Sequence, residues 1–400
     1  MLAEIWALWL LTGCASRAPV TTGSVEVVRA EPNIARAWEA LEAGADGLDV
    51  PPRRRALSVL ITLSPDGQVQ RWAARGLWDP SPYVQRSVAA AMADRLPEPE
   101  TLGALQAFVS REGLDPYTRC GVAAALARAG DASTAPVIQD ALEAEFEDWL
   151  QAPCALALAQ MASLQPLTPA GGVSPRQALS AIIAAGELPL ELSFIDDLGR
   201  SGLPGLGKEL LAIMDVVEPE LQLALAAAAL RLGESGGADH LRRALSAEDI
   251  ELQLEAIDFL LTLPPEAAAG PLRRASGSVK TVARLALIEL GEDDLELAVQ
   301  SLLALDREVR AQATRAIGGW LAQHQQAGSR RLSRLGQVAL VEALQDPEDM
   351  VRLEALRALG QVGRTEDAEA IAPLIQDDAL LIRIEAAAAL LSLQAATTSR

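Results

Sequence analysis

The stretch DPEDMVRLEALRALGQVG, residues 346–363, decides how the rest of the chain is read. Asp346 has the side chain of an N-cap, because a carboxylate can accept from the unpaired N–H groups of a first helical turn. Pro347 suits the first helical position, where no N–H is needed. Val351, Ala355, Ala358, Leu359 and Val362 follow at i, i+4, i+7, i+8 and i+11, which is one apolar stripe of a helix. Leu353, Leu356 and Gly360 lie on a second face, so this helix is expected to be covered on two sides.

The composition agrees with that expectation along the whole chain. Half of the 400 residues are hydrophobic but only 3% are aromatic, and the apolar mass is chiefly Ala and Leu. Both are strong helix formers and poor strand formers, which favours close-packed helices over a sheet. The formal charge of −20 excludes a nucleic-acid backbone as partner, since such binding needs Lys and Arg to displace counterions. It favours a basic protein partner. Three cysteines do not make a disulfide framework.

Weaker copies of the opening stretch recur. DREVRAQATRAIGGW at 306 and DDALLIRIEAAAALLSL at 377 align Val351 with Val309 and Ile382, Arg352 with Arg310 and Arg383, and Leu359 with Ile317 and Leu390. Looser copies begin at 79, 115, 218 and 277, with shorter amphipathic segments between them at 101 and 366. A unit of about 30 residues, two antiparallel helices joined by a tight turn, means a solenoid. A single pair cannot bury both its faces, so neighbours must stack. The expected fold is all-α, an α-solenoid or superhelix of stacked antiparallel helix pairs. Recurrent Asp-Pro and Gly interruptions exclude an uninterrupted coiled coil.

The D-P-x-x-x-V-R-x-x-A-x-x-A-L-G pattern resembles HEAT repeats, closest to the short HEAT-like repeats of phycobilisome lyases. The resemblance covers most of 34–400, strongly at 306–393 and poorly at 145–217. It implies Arg–Asp pairs between neighbouring units through Arg310, Arg352 and Arg383. It also implies that the second helix of each unit lines a concave surface. The stripe Met350, Glu354, Arg357, Gln361, with its aligned positions Glu308, Gln312, Arg315, Gly319 and Leu381, Glu385, Ala388, Ser392, is the candidate protein-binding face. On that expectation the face is exposed, and Gln312→Lys, Glu354→Lys and Glu385→Lys together leave stability nearly unchanged.

The first residues carry an address. Ile5 to Leu11 is an apolar run too short to span a bilayer, with the length of a signal-peptide core. Leu11-Thr12-Gly13-Cys14 resembles the lipobox of bacterial lipoproteins, which implies cleavage before Cys14 and acylation of its thiol. More than one acyl chain anchors stably, at about 0.8 kcal/mol per buried CH₂. Glu4 and the lack of Lys or Arg before the apolar run depart from the usual positive start. Ala15 lacks the Asp that the resemblance associates with inner-membrane retention, so the periplasmic face of the outer membrane is the expected place. The organisation read from the sequence is a signal peptide at 1–13, a lipid-anchored tether at 14–33 and HEAT-like repeats at 34–162. An irregular Pro/Gly-rich unit or bend follows at 163–208, with further repeats at 209–400.

No catalytic, metal or cofactor constellation emerges. Gly202 to Lys208 has the spacing of a phosphate-binding loop, but Glu209 stands where a Mg²⁺-binding hydroxyl is needed, so a turn with a helix starting near Lys208 is expected. His240 and His324 lie on different units without metal-ligand spacing. Cys120 and Cys154 are expected as two buried thiols, on the ground that stacked helices stand 8–10 Å apart while a disulfide needs Cα atoms within about 7 Å. Trp38, Trp72, Trp78, Trp149 and Trp320 form no stripe at repeat spacing. The acidic run Asp140, Glu143, Glu145, Glu147 and Asp148 reads as a solvated face, or as a contact for a basic partner. The function expected is a non-enzymatic protein-interaction scaffold without cofactor, held at a membrane by lipid. A bilin-lyase-like enzyme and a cytoplasmic regulatory scaffold are the alternatives.

Overall fold

The computed structural model describes residues 32–398 apart from 96–97, 144–147, 168–173, 187–191, 218, 293 and 325–329. The expected leader, Cys14 and most of the tether therefore lie outside the described residues, as do Glu145 and Glu147. The chain forms α-helices and a few short 3₁₀ turns, with no strand among the described residues. In order the helices are α1 (Pro32–Ala45), α2 (Val50–Leu63), α3 (Asp66–Leu77), α4 (Pro82–Ala93), α5 (Pro99–Val109), α6 (Pro116–Arg128), α7 (Ala135–Glu143) and α8 (Asp148–Leu164). Then come α9 (Pro175–Ala185), α10 (Leu192–Arg200), α11 (Leu206–Ala212), α12 (Pro219–Arg231), α13 (Gly236–Ala244), α14 (Ile250–Leu261), α15 (Pro265–Arg273) and α16 (Lys280–Glu289). The last are α17 (Leu295–Ser301), α18 (Arg307–His324), α19 (Arg330–Ala343), α20 (Asp349–Val362), α21 (Ala368–Ile371) and α22 (Leu380–Thr398).

These helices group into two compact units, 66–287 and a discontinuous one made of the described residues of 32–65 together with those of 288–398. In the discontinuous unit the second helices α18, α20 and α22 stack side by side, and α1 and α2 pack on α22. The stack thus continues past the C-terminal helix into the first helix pair. Stacking in order of sequence could not have told this.

Small residues set the spacing of the stack. A Cβ built on Gly318 of α18 would lie 2.7 Å from Ala358 of α20, and one on Gly44 of α1 would lie 2.8 Å from Ile384 of α22. The opening stripe behaves as expected: Val351, Ala355 and Leu359 are fully buried, and so is Leu356 on the second face. Ser174 caps α9 with a full capping box to Gln177, so the segment 163–208 contains regular helices, α9 and α10, and the start of α11.

Candidate functional site

The start of α20 differs from the expectation. The helix begins at Asp349 with Glu348 in the cap position, and Asp346 does not cap it. Instead Asp346 Oδ1 accepts from the Glu348 N–H at 2.9 Å, closing a turn. Its carboxylate also receives Arg310 of α18, with Nε to Oδ2 at 2.8 Å and Nη2 to Oδ1 at 3.0 Å. A bidentate guanidinium is worth more to a carboxylate than a second capping N–H. Burial raises the Asp346 carboxyl, but the Arg310 hydrogen bonds, the Glu348 N–H and the charges of Arg310 and Arg352 together outweigh it and leave the group below the ordinary carboxylate value.

The same arginine secures its own turn. Arg310 Nη1 donates to the Ala304 and Leu305 carbonyls, both at 3.0 Å. Arg352 Nη1 does the same to Asp346 at 3.0 Å and Pro347 at 3.1 Å, and Arg383 Nη1 to Asp377 at 2.8 Å and Asp378 at 3.2 Å. Arg352 Nη2 reaches Asp377 of the next unit at 3.5 Å. The implied Arg–Asp pairs therefore form at Arg310 and Arg352, whereas Arg383 bonds to backbone carbonyls. Arg53 of α2 repeats the device, donating to Gly47 at 2.9 Å and Leu48 at 2.7 Å. That marks α1 and α2 as a unit of the same kind.

The candidate binding face lies largely inside the stack, and the expectation that it is exposed is corrected. Gln312 is 3% exposed, Glu354 7% and Glu385 2%. Gln312 Nε2 donates to Glu289 at 3.0 Å, and Arg315 donates to Gln312 Oε1. Arg357 donates to Glu354 at 2.9 Å and to Glu385 at 3.2 and 3.3 Å. Arg55 of α2 grips Glu385 with Nε at 2.8 Å and Nη2 at 2.7 Å. Met350 is half-buried and Glu308 is exposed. The alternation of polar and apolar residues along this face serves neighbouring helices. Each second helix is flanked on both sides, so a position that looks free on an isolated wheel meets the next repeat. Burial raises the Glu385 carboxyl, and Arg55 and Arg357 overcome that and hold it below the ordinary value. Lysines at 312, 354 and 385 would place ammonium groups in this net and destabilise the stack.

In the unit 66–287 the ends of the second helices carry a comparable cluster. Arg128 of α6 pairs with Asp197 of α10 at 2.8 Å, Arg200 and Arg231 both pair with Asp196, and Arg231 donates to the Thr262 carbonyl at 2.9 Å. Desolvation pushes the Asp94 carboxyl at the end of α4 up to about 6, with Arg200 and Arg128 drawing it back down.

Cys120 of α6 and Cys154 of α8 form a disulfide, with Cα atoms 4.7 Å apart, which overturns the expectation of two thiols. The reason is geometric. The usual 8–10 Å is a separation of axes, and Cα atoms that face each other stand closer by about 2.3 Å on each side. Buried alanines at 123, 124, 127, 152 and 155 let α6 and α8 approach in this way.

Gly202 and Gly205 take positive φ in a turn, α11 starts at Leu206, Lys208 is exposed, and Glu209 is bound by Arg176 at 2.6 Å. His324 stacks on buried Trp320, and His240 is half-buried. Trp72 is buried, Trp38 half-buried and Trp78 68% exposed. Among the described residues no group of three or more His, Cys, Asp or Glu is placed to hold a metal ion. No described helix is long and apolar enough to cross a membrane.

No curated protein matches the chain. Among solved structures, an engineered protein is 19% identical, covering 90% of this chain and 99% of its own at a TM-score of 0.27. Human deoxyhypusine hydroxylase in complex with glycerol is 14% identical, covering 82% and 96% at 0.28. The karyopherin Kap121p bound to the SUMO protease Ulp1p is 14% identical, covering 88% and 45% at 0.33. The family described as HEAT repeats matches at residues 76–159 and 295–392. Those two segments are therefore similar to HEAT repeats, and in the second of them the Arg310–Asp346 and Arg352–Asp377 links join neighbouring helix pairs.

Proposed function

We propose that this chain is a non-enzymatic protein-interaction scaffold, anchored by lipid on Cys14 to the periplasmic face of a bacterial outer membrane. The observation that carries the address is the Cys120–Cys154 disulfide. Disulfides persist in oxidising compartments and are rare in the cytosol. With two cysteines paired, the third is the one in the Leu-Thr-Gly-Cys stretch. The scaffold part rests on the repeat architecture, in which side chains of the second helices are used to hold neighbouring units. Turns and outer faces are left to meet a partner. Metabolic labelling with a fatty-acid analogue, followed by membrane fractionation, tests the anchor. Labelled wild type in the outer-membrane fraction and unlabelled Cys14→Ala are expected. Equal labelling of both, or wild type found wholly in the cytosol, overturns it.

A further inference from the structure

The turn edge of α3–α4 and the loop before α6 concentrate side chains that are scarce elsewhere. Both tyrosines of the chain, Tyr83 and Tyr117, are here, with the exposed Trp78. Trp78 is 68% exposed and Tyr83 48%. The Arg111 guanidinium lies 4.0 Å from the Trp78 ring centroid, and Arg86 stands between Tyr83 at 4.9 Å and Tyr117 at 4.7 Å. Arg111 Nη1 donates to the Leu77 carbonyl at 3.3 Å, and Arg119 Nη2 to the Arg111 carbonyl at 2.7 Å. The turn is thereby braced and its cations are held in place.

Two arginines here are engaged differently from most of the arginines that join helices elsewhere. Arg55, Arg128, Arg176, Arg231, Arg310 and Arg357 each meet a carboxylate. Among the described residues no carboxylate pairs with Arg111 or Arg119, although the chain carries 54 acidic residues. The nearby Asp115 is engaged by the Thr118 N–H at 2.8 Å. Guanidiniums prefer bidentate carboxylate partners, and Trp, Tyr and Arg are the side chains that dominate interface energies.

We infer that Trp78, Tyr83 and Arg111 form a docking edge for an acidic segment of another protein, with carboxylates on Arg111 and an apolar side chain against Trp78. This rests on the scaffold reading and names the partner's chemistry: a segment opposite in sign to the basic partner that the net charge alone favours.

The test uses the full chain and a fluorescein-labelled peptide, twelve residues of Gly and Ser carrying three glutamates and one leucine, with twins bearing glutamine or lysine instead. Fluorescence anisotropy at low salt should show binding of the glutamate peptide alone. Arg111→Gln or Trp78→Ala should weaken it at least tenfold while melting within about 4 °C of the wild type, the scale of one lost hydrogen bond, and added salt should weaken it further. Absence of glutamate-peptide binding, equal binding of the twins, or indifference to both substitutions overturns the inference. In parallel, a photo-crosslinking residue is placed in cells at Tyr83 and, separately, at Glu308. Capture at Tyr83 of a segment rich in Asp and Glu is the supporting result. Capture from Glu308 alone overturns the docking edge and leaves the scaffold standing, whereas capture from neither position overturns the scaffold.

Discussion

Breaking the Cys120–Cys154 bridge gives a prediction with a calculable size. The two residues are 34 apart in sequence, and both are buried. Closing a loop of that length removes unfolded-state entropy equivalent to about 4 kcal/mol at 25 °C. The bridge lies within the compact unit 66–287. For a cooperative unit of that size each kcal/mol moves the melting temperature by about 2–4 °C, so its loss should lower the melt by roughly 8–15 °C. Replacing both cysteines by Ala is the cleaner perturbation, because it adds no polar group to a buried interface lined by alanines. Calorimetry of wild type, of wild type with a phosphine reductant and of the double variant should give one high and two low transitions. After denaturation the oxidised chain should show no reactive thiol where Cys14 carries its lipid, and only that of Cys14 where it does not. Two further thiols in denatured protein from an oxidising compartment, or a melting temperature indifferent to reductant, would refute the reasoning.

Three other outcomes follow from the same contacts. Glu385→Ala leaves Arg55 and the half-buried Arg357 without their shared carboxylate and should cost about 3 kcal/mol in urea unfolding. Because the folded Glu385 carboxyl lies below its ordinary value, its contribution is present above about pH 4.5 and is lost as pH falls through the folded value; Glu385→Gln should flatten that acid limb. Carbon-detected NMR should place the Asp94 carboxyl titration at about 6, and Arg128→Gln should move it higher, since Arg128 draws it down. Leu359→Ala empties a fully buried site on the opening stripe and should destabilise by about 2–5 kcal/mol by the same urea measurement.

The sequence by itself determined the helical units of this protein. The 3.6-residue stripe of Val351, Ala355, Ala358 and Leu359 is a property of one helix, and the turn arginines recur at matching positions, so both are legible locally. The tertiary structure decided which surfaces those helices share. Gln312, Glu354 and Glu385 look like a solvated stripe on an isolated wheel, and only the next repeat buries them. Arg55 meets Glu385 across 330 residues of chain, a pairing that no spacing rule can reach because it depends on where the first helix pair docks. The same holds for Cys120 and Cys154, and for Arg111 beside Trp78. Facing Cα atoms come closer than their helix axes do, and whether a cation finds a carboxylate is settled by the neighbours that packing brings, a long-range outcome of burying apolar faces.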